Sequence, residues 1–177
     1  TTGCGSSITS RVCSNPKIEH LIRSAVRCWV VGIISPWNYP IQLALVPAIA
    51  AIAAGNRVWL KPSERSPRTS GYLATLIGEY FHPLEFSVTL GDANVASQFC
   101  ALPFDHLFFT GSSQVGRLVM RAAAEHLTPI TLELGGKSPA IIHDDANLDD
   151  AAQRIVYGKL FNGGRSEEHT SELQSRE

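Results

Sequence analysis

Segments typical of buried β-strands alternate with segments typical of α-helices along most of this 177-residue chain. The strand-like segments are short, apolar and rich in β-branched residues, whereas the helix-like segments are longer and carry apolar side chains at helical spacing. Strands separated by helices in this way form βαβ units, in which the strands run parallel and helices cover both faces of the sheet. The sequence therefore predicts an α/β fold with a Rossmann-like open parallel sheet, incomplete at both ends.

The alternation resolves into separate elements. The predicted strands cover residues 26–34, 57–61, 86–90, 105–109, 130–134 and 140–142. The predicted helices cover residues 41–54, 67–81, 93–100, 112–126 and 147–160, and proline or glycine marks several of their ends. Because no internal repeat or low-complexity segment interrupts the pattern, these elements are expected to form one domain.

Charge and hydropathy exclude several classes of function. The 15 basic and 16 acidic side chains give a net charge of −1, which leaves no basic field to attract nucleic acid. The longest apolar stretch, residues 41–54, contains Gln42 and Pro47 and is shorter than the roughly 20 residues of a membrane span. No charged-then-apolar leader of the secretory type is present, so a cytoplasmic location is expected.

Cysteine and histidine spacing does not indicate a metal centre, and none is expected. The six histidines show no metal-ligand spacing and are predicted to be structural or exposed. The four cysteines lack CxxC or ligand spacing and are predicted to be reduced structural thiols: Cys4, Cys13, Cys28 and Cys100.

A turn rich in glycine and serine joins the fourth predicted strand to the next helix. Gly111 lets the backbone turn, Ser112 opens the helix, and Gly116 lies one helical turn further on. Free N–H groups at a helix start favour phosphate. The spacing G-x-x-x-x-G differs from both the dinucleotide fingerprint and the P-loop, so a plain strand–helix turn is the alternative.

Polar residues follow two other predicted strands. Lys61, Ser63 and Glu64 come at the end of the second strand, where open α/β sheets bind ligands, although a solvated surface pair would give the same pattern. Trp37 and Asn38 lie in a loop held by two prolines after the first strand. The Asn38 amide is a donor of the kind that stabilises an oxyanion, and a plain turn residue is the alternative.

A carboxylate also interrupts the apolar strand at 130–134. Glu133 lies there just before the pair Gly135-Gly136 and is expected to be buried. A buried glutamate needs a compensating role. A general base is one such role, and a structural ion pair with Lys137 is the other.

Three segments taken together resemble the aldehyde dehydrogenase superfamily. They are GIISPWNYPIQLALVPAIAAIAAGNRVWLKPSE, FFTGSSQVGRLVM and TLELGGKSPAII, in that order and spacing. The resemblance covers residues 30–164 and is nearest to the coniferyl aldehyde dehydrogenase branch, close to the class 3 enzymes for fatty and aromatic aldehydes. The runs LALVPAIAAIAAGNRV and LPFDHLFFTGS carry that closer likeness.

The resemblance implies a role for each residue that matches a family motif. Asn38 matches the donor to the oxyanion, and Glu133 matches the general base that activates water to cleave a thioester. The positions that match cofactor contacts are Trp37, Lys61, Ser63, Glu64, Gly111, Ser112, Gly116, Leu134 and Gly135.

The same resemblance implies a reaction and its reactants. It implies NAD(P)-dependent oxidation of a small-molecule aldehyde to the carboxylic acid. NAD is expected to be preferred and NADP tolerated, because the Glu64 carboxylate repels a 2′-phosphate and Lys61 offsets part of that repulsion. A homo-oligomeric parent protein is expected.

The family's nucleophilic cysteine is absent from its expected position. In the family, the segment F-N-G-G continues as Gln-x-Cys, which puts the cysteine at position 167, where this chain has Glu167. The four cysteines of this chain all precede Glu133 and do not substitute. We therefore expect an inactive fragment of the enzyme. A non-catalytic nucleotide-binding homologue and a semialdehyde or acyl-CoA-forming relative are the alternatives.

The two ends of the chain match the family poorly. Residues 1–25 form a poorly matching segment, residues 26–164 a partial NAD(P)-binding domain, and residues 165–177 a tail. The tail holds one apolar side chain, Leu173, and resembles the translation of a sequencing-adapter oligonucleotide. It is therefore expected to be non-native and disordered.

Overall fold

The computed structural model describes residues 29–136 and 139–165 of the chain. Within these residues five strands alternate with five helices, which confirms the predicted α/β fold class. The strands are β1 (Val30–Ile34), β2 (Arg57–Lys61), β3 (Phe86–Val88), β4 (His106–Gly111) and β5 (Ile130–Leu134). The helices are α1 (Gln42–Ala53), α2 (Pro67–Tyr80), α3 (Ala93–Cys100), α4 (Ser113–Ala124) and α5 (Leu148–Leu160), and an irregular turn at Phe161–Gly164 follows α5.

The five strands form one parallel sheet in the order β3-β2-β1-β4-β5. Ile34 at the end of β1 lies opposite Lys61 of β2 on one side and Phe109 of β4 on the other. The chain therefore leaves β1 toward β3 and later returns to the opposite side of β1 to form β4. Because all strands run parallel, their carboxyl ends meet at one edge, and the direction of winding changes between β1 and β4.

Each face of the sheet has its own apolar core, because successive side chains of a strand point to opposite faces. On one face Ile33 and Leu60 pack with the buried residues of α1 and α2. On the other face Leu107 and Phe109 pack with the buried residues of α3 and α4. This two-sided burial explains why the strands are apolar at nearly every position.

Side-chain caps fix where three of the helices begin. Asp92 accepts hydrogen bonds from two backbone N–H groups of α3, and Asn147 does the same for α5. Ser112 caps α4, where its hydroxyl accepts from the N–H of Val115. Such caps satisfy N–H groups that have no partner within the helix, so each loop meets its helix at a defined residue.

The structure corrects the end of the strand pattern. The prediction of a strand at residues 140–142 is wrong, because only Ala140 forms an isolated bridge and Ile141 is almost fully exposed. A single bridge provides no continuous ladder to hold three residues in a sheet. The other predicted bounds coincide with the observed ones or differ from them by at most two residues, and residues 26–28 of the first predicted strand lie outside the described residues.

Candidate functional site

The candidate site lies at the carboxyl edge of the sheet, where β1 and β4 are neighbours. The loop at residues 35–40 follows β1, and the turn from Gly111 to Ser112 joins β4 to α4. The end of β2, with Lys61, lies directly beside β1 at the same edge. In open parallel sheets this crevice, where the winding direction reverses, is where ligands bind.

A buried lysine and a partly exposed glutamate form an ion pair at the end of β2. The side chain of Lys61 is only 2% exposed, and its Nζ lies 2.9 Å from Oε2 of Glu64, whose side chain is 44% exposed. The backbone N–H of Glu64 and the Lys61 ammonium together lower the pKa of the Glu64 carboxyl. The alternative of a solvated surface pair is therefore wrong for Lys61, while Glu64 remains an ionised acceptor that solvent can reach.

A small cavity opens next to this pair. It encloses about 170 Å³ between the start of α2 and the turn that follows β3. The Ser70 hydroxyl, at the start of α2, donates to the backbone oxygen of Ser63 at 2.8 Å and holds the loop that carries Glu64. The residues that line the cavity are Pro62, Ser63, Glu64, Pro67, Ser70, Leu90 and Gly91.

The start of α4 presents backbone donors at the same edge. The Ser112 hydroxyl accepts from the N–H of Val115 at 3.3 Å. The N–H groups of Ser113 and Gln114, in the first turn, have no intrahelical acceptor. Gly116 packs against β5, where a Cβ at this position would lie 2.9 Å from a methyl group of Leu134. Glycine at 116 thus lets α4 approach β5 closely.

Ser35, the first residue after β1, adds an unsatisfied polar group to this edge. Ser35 is only 3% exposed, and its hydroxyl has no hydrogen-bond partner among the residues that the structure describes. Its backbone N–H donates to the carbonyl of Lys61, so the residue is fixed between β1 and β2. A buried hydroxyl without a partner costs about 1–3 kcal/mol, so Ser35 is a polar group that the described residues leave unsatisfied.

The loop after β1 is bound to the segment that follows α5. The side-chain Nδ2 of Asn38 donates to the backbone oxygen of Arg165 at 2.7 Å. In the opposite direction, Nδ2 of Asn162 donates to the backbone oxygen of Asn38 at 3.1 Å. The Arg165 guanidinium lies over the Trp37 ring, 5.8 Å from its centroid. Sequence reasoning did not single out Asn162, although its place beside Gly163-Gly164 marks a turn.

The expected burial of Glu133 is wrong. Glu133 is exposed, whereas its neighbours Leu132 and Leu134 pack into the core beneath α4. The physical reason is that β5 lies at the edge of the described sheet, and Glu133 projects from the face opposite that core. Gly135 is exposed as well. Lys137 lies outside the described residues, so its ion pair with Glu133 stays a prediction.

The cysteine in the described part of the chain is not a nucleophile. Cys100 is buried in the core beneath α3, and this burial raises the pKa of its thiol to about 11. A thiol with that pKa is protonated at neutral pH and attacks carbonyl groups poorly. Three of the predicted structural thiols lie outside the described residues: Cys4, Cys13 and Cys28.

One histidine, His143, belongs to a candidate metal-binding cluster on the surface. Ligand atoms of His143, Asp144 and Asp145 lie within 4.8 Å of one another, and all three residues are exposed. Exposed acidic groups of this kind are common on proteins without a metal. The absence of a metal centre stays a prediction.

Comparison with known proteins identifies the family of the chain. The sequence profile described as "Aldehyde dehydrogenase family" matches residues 8–167, which is most of the chain. The chain belongs to the aldehyde dehydrogenase family. The resemblance noted from the motifs is thereby confirmed, as is its nearness to the coniferyl and class 3 enzymes.

Three relatives illustrate the likeness. The coniferyl aldehyde dehydrogenase of Pseudomonas sp. is 56% identical over 136 residues, which are 77% of this chain and 28% of that enzyme. The dimeric NADP-preferring aldehyde dehydrogenase of Rattus norvegicus is 47% identical over 137 residues, 77% of this chain and 30% of that enzyme. The structure of a Mycobacterium tuberculosis aldehyde dehydrogenase complexed with NAD⁺ superposes with a TM-score of 0.71 at 42% identity, over 77% of this chain and 29% of that one.

The chain spans less than a third of the length of these aldehyde dehydrogenases. The division into segments 1–25, 26–164 and 165–177 stays a prediction, and residues 1–25 and 166–177 lie outside the described residues. Arg165, the first residue of the tail that is expected to be disordered, contacts Asn38 and Trp37. Among the described residues, no helix combines the length and the apolar character that a membrane crossing requires. The cytoplasmic location also stays a prediction.

Replacing Glu64 with glutamine tests the ion pair at the end of β2. We expect Glu64→Gln to lower the free energy of unfolding at pH 7 by about 1 kcal/mol, since Lys61 loses its counter-charge but the Glu64 carboxylate is partly exposed and screened by solvent. Because the pKa of Glu64 is lowered in the folded chain, its contribution is present above the ordinary pKa of 4.5 and disappears as the pH falls through the folded-state value. Urea unfolding between pH 3 and pH 7 measures both effects.

A matched control is the exposed pair between Asp150 and Arg154, whose N–O distance is also 2.9 Å. Asp150→Asn should lower the free energy of unfolding by less than about 0.5 kcal/mol, because both side chains of this pair are solvated. Equal losses in the two variants would contradict the special environment assigned to Lys61 and Glu64.

Proposed function

We propose that this chain is the dinucleotide-binding part of an aldehyde dehydrogenase that uses NAD(P) to oxidise an aldehyde to the carboxylic acid. One observation carries the proposal. The carboxyl ends of β1, β2 and β4 bring the pair formed by Lys61 and Glu64 to the same sheet edge as the free N–H groups at the start of α4. Ribose hydroxyls hydrogen-bond to charged side chains such as those of Lys61 and Glu64, and a pyrophosphate binds to free N–H groups at a helix start.

The residues at this edge fit a nicotinamide dinucleotide. The exposed part of the Glu64 carboxylate can accept hydrogen bonds from ribose hydroxyls, and the Ser35 hydroxyl, which has no partner among the described residues, is a further polar group beside it. A dinucleotide held there would supply the hydride acceptor for oxidation of the substrate carbon. The residues that would hold it are Trp37, Lys61, Ser63, Glu64, Gly111, Ser112, Gly116, Leu134 and Gly135.

Two residues of this chain would act on the substrate itself. The Asn38 amide would donate to the oxygen of the aldehyde as negative charge develops there. Its present bond to the Arg165 carbonyl supports this role, since it aims the amide at the segment that leads to position 167. Glu133, which is solvent-accessible at the end of β5, would take a proton from the water that releases the acid.

A neighbouring relative supports an aromatic substrate. At 56% identity with the coniferyl aldehyde dehydrogenase of Pseudomonas sp., this chain shares more than half of its matched residues with an enzyme named for an aromatic aldehyde. We propose a coniferyl-like aldehyde for the parent protein. From the family likeness we also propose that the full-length protein is a homo-oligomer. The name of the rat relative, which calls that enzyme dimeric, agrees with this proposal.

The second candidate function is nucleotide binding without catalysis. Its support is that Glu167 occupies the position where the family motif has cysteine, while Cys100 is buried with a pKa of about 11. A chain of this kind binds the dinucleotide at the same edge but forms no bond to an aldehyde.

Dinucleotide titration tests cofactor preference. We expect the chain to bind NAD about tenfold more tightly than NADP, since about 1.4 kcal/mol of repulsion between Glu64 and a 2′-phosphate gives that ratio. Glu64→Gln should bring the two dissociation constants within about twofold of each other, as measured by isothermal titration calorimetry.

The control is Glu79→Gln, an equal charge change near the far end of α2. Glu79→Gln should leave the ratio of the dissociation constants for NAD and NADP as it is in the unsubstituted chain. If Glu64→Gln also leaves the ratio unchanged, Glu64 is a loop residue with no part in selectivity.

Turnover by the chain alone is expected to be absent. Without a thiolate at position 167, no covalent adduct with the aldehyde forms and no hydride is released. The purified chain, incubated with NAD or NADP and with aromatic or aliphatic aldehydes, should produce no reduced cofactor in an absorbance assay. Formation of reduced cofactor above the level of heat-denatured chain would contradict this account.

A further inference from the structure

The turn at the end of α5 has an unusual backbone. Asn162, Gly163 and Gly164 have φ angles of 51°, 63° and 70°, so three successive residues adopt left-handed conformations. Glycine adopts such angles without cost, whereas an asparagine there costs about 1 kcal/mol. The chain therefore has an asparagine where glycine, which it uses at the next two positions, would satisfy the backbone better.

What asparagine adds at this position is a side-chain donor. Nδ2 of Asn162 donates to the backbone oxygen of Asn38 at 3.1 Å, across 124 residues of sequence. The bond is partly buried between the loop after β1 and the turn after α5. Among the side chains of this turn, this amide provides a contact that glycine cannot replace.

The contact is matched by a second hydrogen bond in the opposite direction. Nδ2 of Asn38 donates to the backbone oxygen of Arg165, only three residues beyond Asn162. The backbone of Asn38 is thus held by one bond, while its side chain makes the other. With its carbonyl fixed, Asn38 has fewer orientations available, and its amide stays directed at the turn.

We infer that Asn162 is a positioning residue that orients the Asn38 amide through the hydrogen bond to the Asn38 backbone. The inference rests on the proposed function, in which that amide is the donor to the substrate oxygen. Asn162 itself needs no contact with substrate or dinucleotide. It sets the distance between the oxyanion donor and the segment leading to position 167.

Asparagine-selective ¹⁵N labelling of the full chain gives a direct readout. The chain has six asparagines, so its side-chain amide spectrum is simple, and the Asn38 signal is the one that Asn38→Asp removes. In the unsubstituted chain we expect the side-chain amide signal of Asn38 to be shifted from the position of a solvated asparagine, because this amide is hydrogen-bonded. In Asn162→Gly and Asn162→Asp that shift should be lost, because glycine has no donor and aspartate places an acceptor against a carbonyl.

The glycine variant separates positioning from a merely structural role. Glycine favours the left-handed backbone at least as well as asparagine, so a residue needed only for the turn would leave the Asn38 signal in place. Signals of Asn56 and Asn94, in other parts of the fold, should not move in either variant. An unchanged Asn38 signal in Asn162→Gly would overturn the inference.

Arg165→Ala is the matched control, because it removes the guanidinium over Trp37 but keeps the backbone oxygen at 165. We expect the Asn38 signal to stay shifted in this variant. If Arg165→Ala moves it as far as Asn162→Gly does, the stacking of Arg165 orients the loop and the inference is wrong. NAD titration of the same samples is a separate test, since failure to bind would defeat the proposed function and leave the coupling between Asn162 and Asn38 intact.

Discussion

The parallel pairing of β1 with both β2 and β4 determines where the polar groups of this chain meet. Since all five strands run in one direction, every loop that follows a strand lies at the same edge. The loop with Asn38, the loop with Glu64 and the start of α4 are far apart in sequence, yet they follow three adjacent strands. Each of these strands is apolar because both faces are covered, so the sheet itself offers almost no polar group away from its edges.

Within that edge, one electrostatic arrangement stands out. Lys61 is among the most buried side chains of the described residues, and Glu64 supplies the nearby opposite charge. Burying the ammonium excludes solvent from one side of the pair, whereas the carboxylate stays accessible on the other. The pair therefore neutralises a buried cation and at the same time leaves a carboxylate acceptor that solvent can reach.

Much of this arrangement could be predicted from the sequence, and its failures have physical causes. The strands and helices follow from local apolar patterning, and the site loops follow from the rule that ligands bind at carboxyl ends. Burial of Glu133 was predicted from its apolar neighbours, but a strand has two faces and the exposed face of β5 depends on what covers it. The contact between Asn162 and Asn38 could not be predicted, because it joins residues 124 positions apart.

Hydrogen exchange of the full chain with and without NAD tests most directly whether the carboxyl edge is the dinucleotide site. The account predicts slower exchange in peptides that cover residues 35–38, 61–64 and 111–116 when NAD is bound. Peptides from the opposite edge, such as residues 81–85 and 125–129, should exchange at unchanged rates. Protection at the opposite edge, or bound NAD without protection at 61–64 and 111–116, would contradict it.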